Sequence, residues 1–496
     1  MCSVPRRIAL VALLVLIILF LSGITSFGLM GPDEPRYASI GRAMQMSGDW
    51  ITPRLWGHGW FEKPPLLYWL IAASFSLGLG PEAAPRLPVA LASLAFLAFY
   101  FLYLRQEFNV FVGAVATGLL GTSALWLGYS HAAVTDIPLS ITFAAACLLL
   151  MPAVEGRAVP VSMAAALLAL SVLAKGLVPL VFILPFLWFA RRHWHKWLRP
   201  SPVLVFCAIA LPWYALCQAR NPEFFHVFFV QHQLGRFTSP DLQHVQPFWF
   251  YVPVITVALF PGTLLCAFAC WPRLYQDRRR RFLGATVLFG FLFLSISRNK
   301  LPGYILPLMP LVCLLAACGM DAARVLCKRR LTVVLAASAL LLPVLVAAAG
   351  VLPQAFNGGL REALPPDPAT VHRLWIAVPI CLVAAACLWF LNSVLFDRAR
   401  AVLFWFALAA AGWGYVEYAA LPWVDAASAR SVWRNLPEQK KTFCVGPVSR
   451  NWRYGLNYYS VTPLPDCAGN EIPAIMPGRS PSDRPVIISG KKQDKT

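Results

Sequence analysis

The sequence predicts an all-α polytopic membrane protein: about thirteen transmembrane helices, juxtamembrane helices in the first outer loop and a small α/β appendage after the last span. Three observations carry this expectation: the ratio of apolar to charged residues, the recurrence of span-length apolar runs, and the basic clusters between them. Of 496 residues, 59% are hydrophobic and 13% charged, with a mean hydropathy of +0.64, whereas a soluble domain carries about 25% charged residues. So much apolar surface cannot be hidden inside one globule, and lipid must be its solvent. Lys and Arg outnumber Asp and Glu by 42 to 22. The cations fall between apolar runs, as those of cytoplasmic loops do, so no nucleic-acid partner is expected.

The first run, Ile8 to Leu29 behind Arg6 and Arg7, is longer than a typical signal-peptide core and lacks a small-x-small cleavage site. It reads as an uncleaved first span. Further runs lie near 86–104, 110–128, 137–152, 159–174, 176–190, 202–219, 249–271, 282–297, 303–320, 331–352, 373–396 and 401–421. Another apolar segment, Pro65 to Leu79, leaves the count ambiguous, and charge parity resolves it. The clusters at Arg191 to Arg199, Arg273 to Arg281, Arg324 to Arg330 and Arg398 to Arg400 share a side with Arg6 and Arg7 only if one early run does not cross. Pro65 to Leu79 is the shortest of these, is entered through Pro64-Pro65 and left through Gly78 to Pro81, and is assigned to the outer membrane face.

That parity puts the N-terminus in the cytoplasm. It puts residues 30–85, His131 to Asp136, 220–248, Ser297 to Pro302, 353–371 and the tail from Pro422 outside. The expected divisions are a transmembrane domain over 1–421, with 30–85 as its outer juxtamembrane loop, and a small C-terminal domain over 422–496. In that tail Thr442 to Val445 and Val486 to Ser489 are strand-like between Pro, Gly and Asn turns.

Nine of the 13 cysteines lie inside apolar runs, where Cys acts as a small buried hydrophobe rather than part of a metal cluster. Cys444 and Cys467 are the only pair in the outer tail. In an oxidising compartment they would close a disulfide; the alternative is two unpaired buried thiols. Loss of such a bond is expected to loosen the tail without touching the loop that bears Asp33.

The chemistry is expected in the outer loops. The first reads Asp33-Glu34-Pro35-Arg36-Tyr37 and, further on, Phe61-Glu62-Lys63-Pro64-Pro65. Adjacent carboxylates beside a span need hydration or cations, and the cations suit anionic groups, although a solvated aromatic belt would have the same composition. Asp136 begins a span directly after the short loop from Ser130, as a site carboxylate or as part of a helix cap. Lys175-Gly176 is a lone cation between apolar runs, free to snorkel; Arg298 and Lys300 lie outside against the charge rule, as anion holders do. The 223–249 loop carries His226, His232, Arg236 and His244. With Glu62 as a hard oxygen ligand, His232 and His244 give a candidate site for Zn or Mg, though their spacing matches no strong metal motif.

In order, these segments resemble the GT-C superfamily of membrane glycosyltransferases that use polyprenyl-phosphate sugars, in particular the bacterial branch of the lipid A aminoarabinose transferases and protein O-mannosyltransferase relatives. The resemblance rests on Asp33 to Ala38, Phe61 to Trp69, Thr135 to Leu139, Leu173 to Gly176 and Lys300 to Pro307. A sixth stretch, His232 to Phe237 followed by His244 and Gln246 to Tyr251, also matches, so the likeness covers roughly the first 310 residues. It implies a multi-pass protein of the bacterial inner membrane with a periplasmic active site. The implied reaction moves a sugar, with inversion, from an undecaprenyl-type phosphate to a glycolipid such as lipid A or to a protein hydroxyl. Asp33, Asp136 and Glu34 are the implied catalytic acids, and Arg36, Lys63, Lys175, Arg236, Arg298 and Lys300 the implied phosphate-binding cations. A flippase for lipid-linked sugars would want similar cations, but would place ionisable residues at mid-membrane and show internal repeats.

Overall fold

The computed structural model describes residues 6–193, 199–234, 245–326, 328–358, 368–393, 398–436, 443–468, 473–478 and 483–488. Among these the chain is mostly helical, with one two-stranded and one three-stranded sheet. Among the described residues, seven helices are long and apolar enough to cross a membrane. Nine segments qualify if two bent pairs, Val110–Gly121 with Ala124–Ser130 (65°) and Phe248–Ala258 with Thr263–Cys270 (116°), each count as one. The expected class is therefore met while the expected number is not reached by this measure. Helices such as Val161–Lys175, of 15 residues, span only about 22 Å at 1.5 Å per residue, short of the roughly 30 Å hydrocarbon core.

Burial sorts the helices into layers. Asp136–Glu155 and Pro302–Ala323 are 94% buried over their apolar windows, whereas Pro368–Phe390 is 17% buried. The first two form the centre of the bundle. The third exposes Trp375, Ile380 and Val383, a face that only lipid can satisfy.

The polar groups collect at two ends. At one end Arg157 and Arg279 reach Glu107 at 2.6 and 3.3 Å, and Arg279 reaches Glu155 at 3.3 Å, so the ends of three hydrophobic segments are cross-linked. At the other end lies the first outer loop, between α1 (Arg6–Leu21) and the long helix Ala83–Glu107. It holds α2 (Asp33–Ser47), a hairpin of β1 (Arg54–Leu55) and β2 (His58–Gly59), and α3 (Leu66–Ser76). The helix α3 occupies the segment assigned to the outer face and packs on α2 and Ala83–Glu107. At Gly41 a Cβ would lie 2.5 Å from Ile71, which lets α2 and α3 approach closely.

A buried ion pair fixes this loop to the bundle. Arg86 donates to Glu34 Oε1 and Oε2 at 2.6 and 2.8 Å, and to the carbonyls of Ile24, Phe27 and Gly28 at 2.8, 2.7 and 2.9 Å. Glu34 also accepts the Met30 and Ala133 N–H groups at 2.7 and 3.0 Å. The two side chains are 0% and 3% exposed. Glu34, expected among the catalytic acids, has both carboxylate oxygens engaged by Arg86 and two backbone amides.

The C-terminal segment shows two features that the sequence did not indicate. The last long helix, Arg398–Val424, runs through Pro422 and past the expected boundary at 421. The segment is also not independent of the first outer loop. A three-stranded sheet of β3 (Cys444–Val445), β4 (Ala474–Met476) and β5 (Val486–Ile488) has β3 parallel and β5 antiparallel to β4. It packs with Val432, Phe443, Leu456 and Ile475 in a small core of its own. Cys444 and Cys467 form the expected disulfide. Yet Arg430 donates to the carbonyls of Thr25 and Ser26 at 2.7 and 2.5 Å, the Gly28 N–H donates to Asp425 at 2.7 Å, and Arg42 donates to the Tyr458 carbonyl at 2.9 Å.

Removing one member of a buried ion pair leaves the other charge uncompensated, at a cost of about 3–5 kcal/mol. Arg86→Met is therefore expected to lower the detergent-state melting temperature far more than the exposed-cation change Arg298→Met. Equal melting temperatures for the two variants would remove the pair from its structural role.

Candidate active site

Five segments far apart in sequence meet at the end of the bundle that holds α2 and α3. The first turn of α2 supplies Asp33 and Arg36. Asp33 sits at a helix N-terminus, where the backbone favours a carboxylate, and keeps 41% of its side chain exposed while accepting a hydrogen bond from Arg36. Arg36 also lies 3.5 Å from Glu62, so one guanidinium joins the first two segments. Its planar face rests 4.9 Å from the Trp60 ring centre and 5.3 Å from that of Tyr37. Burial disfavours its charge, but the neighbouring Tyr37, Glu62 and Asp33 outweigh burial and hold it protonated above the usual arginine range. The same site raises the Tyr37 phenol well above its ordinary value, through burial first and the Asp33 charge next, so Tyr37 stays neutral. The Tyr68 hydroxyl is buried here with no hydrogen-bond partner among the described residues.

The other three segments form a second pair. Asp136 opens the helix Asp136–Leu150, and its Oδ1 accepts from Lys175 Nζ at 2.5 Å. No side chain caps that helix, since Thr135 at the N-cap makes no side-chain bond, so the capping alternative for Asp136 does not hold. Lys175 ends the helix Val161–Lys175, and Gly176 at φ +89° turns the chain away directly after it. The ammonium lies 4.4 Å from the Tyr304 ring centre. At Gly303 a Cβ would come within 2.5 Å of the Tyr129 ring, so this glycine lets the Lys300 to Pro307 segment press on Tyr129. Both Asp136 and Asp33 lie within electrostatic range of Tyr129. The two pairs thus border one region of alternating charge.

The remaining expected cations divide. Lys63 is buried in the same loop as Glu62, and Arg298 is exposed. Lys300 donates to the Gln246 carbonyl at 2.9 Å and to the Ser297 carbonyl, and burial lowers its pKa. With two of its three donors it staples the loop before Phe248 to the loop after Ile296, beside the bridge Val245↔Asn299. Arg236 and His244 lie outside the described residues, as does the side chain of His232. Of the expected metal set, only Glu62 is therefore in view, and it faces Arg36. Among the described residues no three His, Cys, Asp or Glu side chains group closely enough to hold a metal ion. Tyr129 and Tyr454 belong to the region although sequence reasoning did not single them out; Tyr304 lay inside the Lys300 to Pro307 segment without a role.

Comparison with known proteins points one way. Residues 62–216 match the family described as dolichyl-phosphate-mannose-protein mannosyltransferase. The chain is 32% identical over 345 residues to an undecaprenyl phosphate-alpha-4-amino-4-deoxy-L-arabinose arabinosyl transferase of Pseudomonas fluorescens, a match covering 64% of this chain and 57% of that one. A Pseudomonas aeruginosa transferase of the same name is 32% identical over 324 residues, covering 60% and 56%. The matches thus span little more than half the length of these relatives. In structure, ArnT from Cupriavidus metallidurans bound to undecaprenyl phosphate aligns with a TM-score of 0.72 at 24% identity over 96% of this chain and 87% of that one. Its apo form gives 0.72 over 96% and 86%. The fold is that of ArnT, and the likeness read from the six segments holds.

Groups in contact show interaction energies of about 0.5–3 kcal/mol in double-mutant cycles. A cycle on Asp136→Asn and Lys175→Met, followed by denaturation in detergent, is expected to fall in that range. Because Asn caps helices as well as Asp, additive effects would return Asp136 to a local role.

Proposed function

We propose that the chain is a polyprenyl-phosphate-sugar-dependent glycosyltransferase of the bacterial inner membrane, moving a sugar with inversion from an undecaprenyl phosphate donor to a lipid A-type glycolipid on the periplasmic face. The observation that carries this reading is the meeting of Asp33–Arg36–Glu62 with Asp136–Lys175 at one end of a bundle that has the fold of an undecaprenyl phosphate-bound protein.

Asp33 is the general base or, for a phosphate acceptor, the acceptor-orienting group, because its carboxylate is the most exposed of the three acids paired in the site, 41% against 19% for Glu62 and 12% for Asp136. In one in-line step the acceptor oxygen attacks the anomeric carbon and its proton, where the acceptor is a hydroxyl, passes to Asp33. The bond to the phosphate oxygen breaks, and polyprenyl phosphate leaves with the electron pair. Lys175 and Lys63, with Arg298 at the rim, stabilise that charge in a site partly shielded from water. Asp136 holds Lys175 ready for it. No covalent sugar-enzyme intermediate is needed for this sequence of bonds.

A protein hydroxyl is the second acceptor reading, favoured by the mannosyltransferase description of the family matched over 62–216. A flippase is disfavoured, since the charged pairs lie at the outer end of the bundle and not at its middle.

The topology belongs to the same proposal. Counting the seven long helices, the two bent pairs, the three shorter apolar helices other than α3 and the helix Arg278–Ile296 as spans, with α3 lying along the outer face, gives thirteen crossings. The N-terminus is then cytoplasmic, and the segment after the last span forms a small periplasmic domain. The cross-linked basic end at Glu107, Arg157 and Arg279 supports this orientation, because positive-inside loops converge there.

Asp33→Asn keeps shape and removes charge. It is expected to abolish transfer from undecaprenyl phosphate-aminoarabinose to lipid A, read by mass spectrometry of envelope lipids and glycoproteins in a complemented deletion strain, while protein level stays unchanged. Wild-type product in that variant would sink the assignment. Reporter fusions after Arg281 and after Asp425 should light opposite sides of the membrane; the same side for both would overturn the parity.

A further inference from the structure

We propose that the C-terminal helix Arg450–Ser460 completes this active site, with Tyr454 acting as a positioning residue that holds Arg36 between Asp33 and Glu62. The inference rests on the reading of Asp33 as the site base. Arg36 Cζ lies 5.9 Å from the Tyr454 ring centre and 4.9 Å from that of Trp60. The Nε of Arg36 is buried without a hydrogen-bond partner among the described residues. Rings, rather than acceptors, therefore orient that side of the guanidinium, and a planar cation over aromatic faces is a directional contact.

Tyr454 is itself held. Its ring lies 5.3 Å from that of Trp56. Trp56 sits at φ +51° in the turn between β1 and β2, a left-handed conformation that a bulky side chain keeps only when its surroundings fix it. One helical turn beyond Tyr454, Tyr458 presents its ring to Arg42 at 4.0 Å and donates from its hydroxyl to the Pro81 carbonyl at 2.5 Å. The next residue, Tyr459, accepts the Leu29 N–H at 3.1 Å. Residues four apart share a helix face, so Tyr454 and Tyr458 grip α2 one turn apart, at Arg36 and Arg42.

The disulfide Cys444–Cys467 brackets this helix, and Arg453 donates to the Leu464 carbonyl at 2.8 Å inside the bracket. The bond is thereby connected to the catalytic carboxylate through Tyr454 and Arg36. This reverses the expectation that its loss would leave the Asp33 loop untouched.

The test uses the full chain purified in detergent, with undecaprenyl phosphate-aminoarabinose as donor and lipid A as acceptor. Small misplacement of a catalytic group costs up to about a hundredfold. Tyr454→Ala is expected to lower kcat by about ten- to a hundredfold with donor KM and melting temperature unchanged, whereas Tyr454→Phe, which keeps the ring, retains wild-type kcat. Reducing the disulfide in the wild-type protein should lower kcat reversibly, which gives a readout even if Tyr454→Ala does not accumulate. Wild-type kcat in Tyr454→Ala, Tyr454→Phe as impaired as Tyr454→Ala, or kcat indifferent to reduction would overturn the proposal. Asp33→Asn assayed alongside separates the failures. An active Asp33→Asn sinks the base assignment, and an inactive one beside a fully active Tyr454→Ala sinks only the role of the helix.

Discussion

The contact between Arg86 and Glu34 is the constraint on which the outer half of the molecule depends. A guanidinium removed from water in this way survives only if every donor is answered. Here two carboxylate oxygens and three carbonyls answer it. The carbonyls belong to the turn after α1, the carboxylate to α2 and the guanidinium to the start of Ala83–Glu107. The Ala133 amide adds the loop that leads to Asp136. One ion pair thus sets the relative positions of Asp33 and Asp136.

Its placement also explains how adjacent acids divide their work. Successive helical residues are turned by about 100°, so at the start of α2 Glu34 points into the bundle while Asp33 points to the open side. The exposures of 3% and 41% follow from that rotation. A sequence shows Asp33-Glu34 as a doublet of equal candidates, and only the helical phase separates the exposed acid, the proposed base, from the buried one.

Much of the fold was legible because lipid imposes length and polarity on each span. The assignment of Pro65 to Leu79 to the outer face came from charge parity, and the structure places α3 from this segment against α2. The pairing of Cys444 with Cys467 followed from their isolation in a polar tail. Less legible were the tasks of single charged residues. Lys300 reads as a phosphate ligand by composition, and its ammonium also donates to the carbonyls of Gln246 and Ser297, a backbone contact that no sequence pattern announces. Tyr454 lies in a segment without a motif, and its place beside Arg36 depends on tertiary docking more than four hundred residues away in the chain.

The same arrangement accounts for how such a site tolerates its own charges before a substrate arrives. Arg36 is shared by Asp33 and Glu62, and Lys175 is held by Asp136, so each of these cations is neutralised within the site. Under the proposed reaction, a lipid phosphate entering near Lys175 competes with Asp136 for a cation that is already oriented. It meets a donor whose reorganisation is small. Asp33 is different, because its partner Arg36 is held by rings as well as by acids, so the carboxylate can turn from Arg36 to an acceptor proton without leaving a buried cation unanswered. Glu62 remains beside the guanidinium when it does. The third carboxylate is what lets the first one work as a base.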